Sequence, residues 1–331
     1  MLPSMLVGLA FFKDYMTFQE WKKKQLAKKA TNYVHFDFRT GLDRCVNYIT
    51  DPQKVSVHAF YPFIHFTKII KRVKNGHKAD PKEREIYYAS YIDSWIYRYY
   101  SYLINEKYNE YLAQTGLSSV SVAYRTNLSK NNIHLAYEAF SFIKKAEVSY
   151  VMIGDFTNFF DSLDHAYLRK SLCSLLEVNE LAPDFYAVFK SVTKFHFFDL
   201  QKLLSIRHLD DSKKGRRALK SLNRILSPKE LRQFKNLIES NPNSGFGIPQ
   251  GSPISAVFAN IYMIQADMAI NKVVLTYGGL YMRYSDDFIV VLPNLSKEEF
   301  AFIYESIKSV IYSIPRLNLK EEKTKLFYVT K

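Results

Sequence analysis

Two short apolar runs, Leu280 to Tyr284 and Phe288 to Leu292, flank a pair of adjacent carboxylates, Asp286 and Asp287. Apolar runs on either side of a polar break predict a β-hairpin with the two aspartates at or beside its tight turn. Aspartate is a common turn residue, so the pair alone is also compatible with ordinary turn chemistry. Upstream, Val148 to Phe156 is a short apolar run with β-branched residues and predicts a buried strand that carries Asp155 near its end. Leu163 to Leu176 then reads as a helix. The segment from Gly247 to Ser255 is a glycine- and proline-shaped loop entering a helix, with Ser252 as N-cap and Pro253 at the first helical position.

The first half of the chain is patterned differently. Val57 to Lys74 alternates imperfectly and ends in Asn75-Gly76, a hairpin-turn signal. Asp80-Pro81-Lys82-Glu83 reads as a helix start, with Asp80 as N-cap, Pro81 first in the helix and Glu83 closing a capping box. The helix expected to follow sets Tyr88, Tyr91, Ile92, Trp95, Tyr99 and Leu103 at helical spacing. Such a stripe packs into a core with its hydroxyls at the edge, in preference to stacking on a base or cofactor. Lys190 to Asn243 predicts a mostly helical insertion with a basic patch of Lys213, Lys214, Arg216, Arg217, Lys220 and Arg224. Trp21 to Ala30 carries Lys22, Lys23, Lys24, Lys28 and Lys29, a solvated helix face or a nucleic-acid contact. Met1 to Phe12 is apolar but has no charged leader and is shorter than the roughly 20 residues that span a bilayer, so it is expected to dock on the core. No repeats or low-complexity linkers separate these parts, and the lobes are expected to pack together.

Composition narrows the partners. The 331 residues are 47% hydrophobic and 24% charged, as in a globular protein with a large core. With 46 basic against 32 acidic residues the net charge is +14, which points to a polyanion, nucleic acid before membrane. Cys45 and Cys173 form neither a disulfide framework nor a zinc knuckle, and a reducing, cytoplasmic compartment is expected.

If the strands carrying Asp155 and the aspartate pair are neighbours, their carboxylates converge and repel unless cations neutralise them. Mg²⁺ suits such a site, because it is held by one or two carboxylates together with substrate phosphates. Two ions about 3.5–4 Å apart stabilise both the attacking and the leaving oxygen of an in-line phosphoryl transfer. Glycines in the Gly247–Ser255 loop let backbone approach a ligand, and a helix N-terminus favours anions.

Three segments in order resemble motifs A, B and C of the reverse transcriptases: Gly154-Asp155-Phe156-Thr157-Asn158-Phe159-Phe160-Asp161, Gly247-Ile248-Pro249-Gln250-Gly251-Ser252-Pro253, and Tyr284-Ser285-Asp286-Asp287. Asn260-Ile261-Tyr262 and Arg283 resemble the bacterial members, among them group II intron, retron and defence-associated enzymes. The resemblance runs over roughly Tyr150 to Lys325, and more loosely from Glu83 to Phe142. It implies Asp155 and Asp286 as metal ligands, with the carbonyl of Phe156 as a further ligand and Asp287 as a third acid close to two Mg²⁺ ions (Mn²⁺ able to substitute). It implies Phe160 as the steric gate under the sugar, and Gln250 with Gly251 beside it as contacts to the incoming nucleotide. Arg125 resembles the fingers arginine that grips the triphosphate, and Lys323 the motif D lysine that protonates pyrophosphate.

The departures are Ser255-Ala256 where the family has a second proline, Ser285 within the box, and a fingers region, Lys82 to Ala89 and Asn105 to Tyr108, like the abortive-infection branch. The expected fold is α+β: a polymerase palm built on a small antiparallel sheet, with largely helical fingers. The thumb is expected to be absent or vestigial because Lys331 follows motif D so closely; either a protein partner or a second copy supplies its grip, or the sequence is a fragment, or the product is short. The expected division is a basic extension over 1–80, fingers over 81–146 and palm over 147–331, with the basic insertion at 190–243. The resemblance implies an RNA-directed DNA polymerase in antiphage defence, with dNTPs, an RNA template, a DNA product and possible association with a noncoding RNA. Template-independent or protein-primed DNA synthesis, and a non-catalytic nucleic-acid-binding subunit, are the alternatives. Lys213, Lys214, Arg216 and Arg217 would track the nucleic-acid backbone. No membrane partner is expected.

Overall fold

The structure, a computed structural model, describes residues 16–28, 33–74, 77–128 and 132–331. In chain order the first elements are α1 (Phe18–Leu26), α2 (Leu42–Ile49), α3 (Pro52–Ser56), β1 (Phe63–Lys74), β2 (His77–Tyr88) and the long α4 (Tyr91–Gln114). Next come α5 (Asn132–Ile143), β3 (Val148–Asp155), α6 (Phe159–Ser162), α7 (His165–Leu175), α8 (Pro183–Thr193), β4 (His196–Asp199), α9 (Leu200–Ile206) and α10 (Lys213–Ser221). The rest are α11 (Pro228–Gln233), β5 (Glu239–Ser240), α12 (Ser255–Tyr262), α13 (Ile264–Thr276), β6 (Leu280–Tyr284), β7 (Asp287–Pro293), α14 (Lys297–Ser313) and β8 (Lys325–Thr330). The chain divides into two compact units. One takes the chain up to Glu106 with Leu181–Ser244 and Pro249–Ile254; the other takes Lys107–Glu180, Gly245–Ile248 and Ser255–Lys331.

The first unit holds a four-stranded sheet in the order β2-β1-β4-β5. Its long hairpin pairs Ile64 with Tyr88 and, farther out, Lys74 with His77, so the expected turn residues Asn75 and Gly76 lie outside the described residues. Met1 to Phe12 and Lys29 lie outside them as well. Asp80-Pro81-Lys82-Glu83 belongs to β2, which corrects the helix start expected there. The register shifts between Ile70, paired with Lys82, and Arg72, paired with Ala79. Asp80 and Pro81 fall in that irregularity, where a residue without an N–H costs the ladder no bond. Tyr88 therefore closes a strand, and the helical stripe begins with Tyr91. From there the stripe packs as expected: Tyr91 stacks on Tyr33 with ring centres 4.3 Å apart, and Tyr99 lies edge-on to Trp21 at 5.7 Å. The 190–243 segment is mostly helical, but β4 and β5 within it extend this unit's sheet, and it lies with this unit. Phe198, Leu203, Leu204 and Leu219 from the segment join Val34, Phe36 and Ile64 in one buried cluster.

The second unit holds an antiparallel sheet in the order β6-β7-β3-β8. β3 is central, paired with β7 on one side and β8 on the other. Because side chains alternate across a strand, paired residues share a face. On one face Tyr150 stacks against Phe300 of α14 at 4.4 Å, and Phe288 lies over Gly154. A Cβ on Gly154 would stand 2.3 Å from that ring, so the residue before Asp155 has to be glycine for β3 and β7 to close. On the other face α5, with Leu135 and Ala139 buried, borders an apolar cavity of about 590 Å³ with Asp287 at its rim. The segment before α5 lies along β6, with Arg283 N–H donating to Val120 O and Val122 N–H to Arg283 O. α7 begins with Asp164, whose carboxylate caps the N–H of Tyr167. α12 begins at Ser255, two residues beyond Pro253, which corrects Ser252 as N-cap; the Ser252 hydroxyl is buried without a hydrogen-bond partner among the described residues.

Candidate active site

The pairing of β3 with β7 sets Asp155 opposite Asp287. Phe156 N–H donates to the carbonyl of Asp286 at 3.2 Å. The three acids are therefore neighbours through the backbone. Tyr284 pairs with Asp287 to close the β6–β7 hairpin, leaving Ser285 and Asp286 as its two-residue turn. The apolar runs predicted Asp286 and Asp287 at or beside this turn; Asp286 lies in it and Asp287 opens β7. Asp155 is 7% exposed, Asp286 half-buried and Asp287 exposed.

Ser285 holds φ at +61°, a left-handed conformation that is uncommon for a residue with a side chain. Neighbouring groups hold it there. Arg283 Nη1 donates to the Ser285 carbonyl at 2.9 Å, and the Tyr124 hydroxyl meets the Ser285 hydroxyl at 3.3 Å. Arg283 is fully buried and also donates to both carboxylate oxygens of Asp267, to Asn260 and to the Ser121 hydroxyl. Burial opposes its charge, and the Asp267 carboxylate more than offsets this, holding the guanidinium above its ordinary range. Arg283 is thus the internal brace of the aspartate turn. The sequence drew attention to Arg283 and Asn260 but not to Asp267 or Ser121. The available signal was a lone acid in the apolar run Ile264-Gln265-Ala266-Asp267-Met268-Ala269-Ile270.

Asp155 has a second neighbour. Lys323 Nζ is ion-paired with Asp155 Oδ2. The lysine arrives on a short turn, Glu321–Lys323, that is tied to β3: Lys320 N–H donates to the carbonyl of Asp155 at 2.8 Å, and Thr157 N–H to Asn318 O at 2.9 Å. Its ammonium stands at the acid where a metal ion was expected. Among the described residues no group of three or more histidine, cysteine, aspartate or glutamate side chains is gathered as a metal cage. Mg²⁺ uses one or two carboxylates and completes its shell with phosphates and water, so an aspartate that already draws a cation, beside Asp286 in the turn and Asp287 at the start of β7, has the donor chemistry such an ion takes.

Phe159 and Phe160 separate by burial. Phe159 is 3% exposed and packs on Phe156, whereas Phe160 lies edge-on to it and is half-exposed. Its carbonyl accepts the N–H of Ile248, fixing α6 to the start of the Gly247–Ser255 loop. In the first unit the carbonyl of Gln250 accepts Tyr87 N–H at 2.8 Å. Gly251 has φ of +112°, and a Cβ there would stand 2.8 Å from Tyr87 O, so its packing against the Tyr87 backbone requires glycine.

Two groups of expected binding residues are partly spent on the fold. Arg125 is 6% exposed; its Nε donates to Asn109, and its Nη1 to the carbonyls of Ser118 and Ser121. As placed it braces the segment before α5. α10 starts on the Ser212 cap and buries Gly215 and Leu219. Lys213, Lys214, Arg217 and Lys220 are exposed on it, Arg216 is ion-paired with Asp211, and Arg224 lies over the Phe38 ring at 4.7 Å. Among the described residues no helix is long and apolar enough to cross a membrane.

No protein-family model matches the sequence, and no curated protein matches it by sequence. The similarity is structural. A structure of apo telomerase from Candida tropicalis truncated from its C-terminal domain superposes with a TM-score of 0.52 at 14% identity, covering 86% of this chain and 54% of that one. A second apo telomerase structure from Candida tropicalis gives a TM-score of 0.47 at 16% identity over 94% of this chain and 49% of that one. The telomerase in complex with a fragment of telomeric RNA gives 0.45 at 15% identity over 89% and 48%. The chain spans about half the length of these telomerase structures. The first of these superpositions, together with the antiparallel sheet that carries the aspartate hairpin, establishes a reverse-transcriptase-like α+β fold with a polymerase palm.

Proposed function

We propose that the chain is an RNA-directed DNA polymerase that joins nucleotides by two-metal nucleotidyl transfer, in the service of antiphage defence. The observation that carries this reading is the β3–β7 register, which sets Asp155 against the braced Ser285-Asp286 turn. Asp155 and Asp286, with the Phe156 carbonyl, would hold the divalent ions, with Asp287 beside them. Bound there, Mg²⁺ supplies charge neutralisation at the attacking and leaving oxygens. Lys323, ion-paired with Asp155, would balance that charge before the ions bind and would then be the proton donor to a departing pyrophosphate. The half-exposed ring of Phe160 would exclude a 2′-hydroxyl by volume. The resemblance gives Gln250 and Gly251 as the contacts to the incoming nucleotide. The exposed lysines and arginine of α10 fit a phosphate backbone. The defence role rests on the resemblance of the motifs to defence-associated enzymes.

The test is labelled dNTP incorporation by the whole chain with Mg²⁺, with and without a primed RNA template. Synthesis that depends on the template supports the reading. Equal synthesis without a template would replace it with template-independent or protein-primed extension. Binding of RNA without incorporation, in the presence of candidate partner proteins and RNAs, would replace it with a scaffolding subunit.

A further inference from the structure

The first unit contains a second cluster of charge that the proposed polymerase site does not use. A cavity of about 220 Å³ opens between the end of α1, the segment around Arg39 and Gly41, and the first half of α4. Three cations line it, Lys28, Arg39 and Arg98, against one acid, Asp43. Asp37, the next acid along this segment, is engaged elsewhere: its carboxylate accepts the N–H groups of Tyr91 and Ile92 at 3.1 and 2.9 Å and caps α4. Two of these, Lys28 and Arg98, are close enough to repel one another. Burial first, and the Arg98 guanidinium second, hold the Lys28 ammonium below its ordinary range. Burial likewise lowers Arg98. A cluster of this kind relaxes when an anion enters it.

The walls say which anion. Arg98 lies over the Trp95 ring at 4.9 Å, and the Trp95 indole N–H is fixed on the Thr40 carbonyl at 2.8 Å. Tyr33, stacked on Tyr91, forms the remaining aromatic wall. Cations beside aromatic rings match a phosphate carried next to a flat base. We propose that this pocket binds a nucleotide through its phosphate, with Arg98 and Lys28 as the phosphate contacts and the Trp95–Tyr33 wall against the base. Such a phosphate is carried either by the end of a single strand or by a free mononucleotide. The pocket lies wholly in the first unit and shares no residue with the aspartate turn.

The chain has two tryptophans, Trp21 and Trp95, so a Trp21→Phe background leaves Trp95 as the sole indole reporter. The whole chain in that background is titrated with AMP, adenosine, inorganic phosphate, and a 5′-phosphorylated or 5′-hydroxyl single-stranded oligonucleotide. AMP is expected to change Trp95 emission at concentrations where adenosine does not. Arg98→Gln should weaken AMP about tenfold, the loss of one charge-assisted contact. Should that variant fail to fold, Lys28→Gln, an exposed position, is expected to weaken AMP several-fold. A phosphorylated oligonucleotide that binds more tightly than AMP assigns the pocket to a strand end; the reverse assigns it to a mononucleotide. Equal response to AMP and adenosine, or AMP binding unchanged by both substitutions, overturns the proposal. Asp286→Asn should leave this binding unaltered, so failure here and failure of the polymerase reading are separate results.

Discussion

Two ion pairs meet at the aspartate hairpin, and they are built differently. Arg283 and Asp267 are 0% and 1% exposed, with several further hydrogen bonds around the arginine. Lys323 and Asp155 are 42% and 9% exposed, and only one end of that pair is buried. A buried pair cannot be exchanged for water without leaving a stranded charge, so it acts as a permanent fixture. A half-exposed pair is held weakly and can be displaced. The hairpin thus has a rigid back, which fixes the turn, and an exchangeable front, where one cation can replace another. The same division recurs in Phe159 and Phe160, one ring in the core and one at its edge, and along α10, where Arg216 is paired with Asp211 while Lys213, Lys214 and Arg217 are exposed.

Breaking the rigid back should have the largest effect. Arg283→Ala strands the Asp267 carboxylate and is expected to cost about 3–5 kcal/mol of stability, read from denaturant unfolding. A loss below about 1 kcal/mol would show that the pair is solvated and the contrast false. The phenylalanines sharpen the contrast next. Phe159→Ala should destabilise by about 3–5 kcal/mol, as for a core aromatic. Phe160→Ala should unfold much like the parent chain yet incorporate ribonucleotides about tenfold better relative to deoxyribonucleotides, roughly the 1.4 kcal/mol of one lost steric contact. Unchanged sugar discrimination would remove the gate. At the exchangeable front, Lys323→Ala should change stability by less than about 1 kcal/mol. The same substitution frees Asp155 and should tighten Mn²⁺ binding, followed by electron paramagnetic resonance, up to about fivefold. Weaker Mn²⁺ binding would mean that the lysine supports the cation site instead of occupying it. The smallest effect belongs to α10. Replacing Lys213, Lys214 and Arg217 together should flatten the salt dependence of nucleic-acid binding by about 0.9 per lost phosphate contact, whereas replacing Arg216 alone should change it less.

What the sequence made legible follows the same line. Strand alternation and turn chemistry are local, so the Leu280–Leu292 hairpin and the strand ending at Asp155 could be read from neighbouring residues. The adjacency of Asp155 to the aspartate turn needed only that the two strands pair, and they do. The misread start at Asp80-Pro81 failed because long-range pairing with β1 outweighs a local capping pattern. Ser252-Pro253 failed in a similar way: the loop continues to Ser255 while Gln250 is held by Tyr87. Arg125 meets Asn109, and Arg283 meets Asp267, each across 16 positions, and Arg283 meets Ser121 across 162; these contacts form only in the folded core, and no spacing rule reaches them.

The central claim is that Asp155 and the Ser285-Asp286 turn form a working catalytic centre. It is tested most directly by Mg²⁺-dependent dNTP incorporation by the parent chain and by Asp286→Asn, with unfolding midpoints measured on the same preparations. The parent is expected to incorporate nucleotide and the variant to lose at least about a hundredfold, beyond the 10–100-fold typical of losing a group that only orients a metal ligand, at an unchanged midpoint. A variant that retains full incorporation would contradict it.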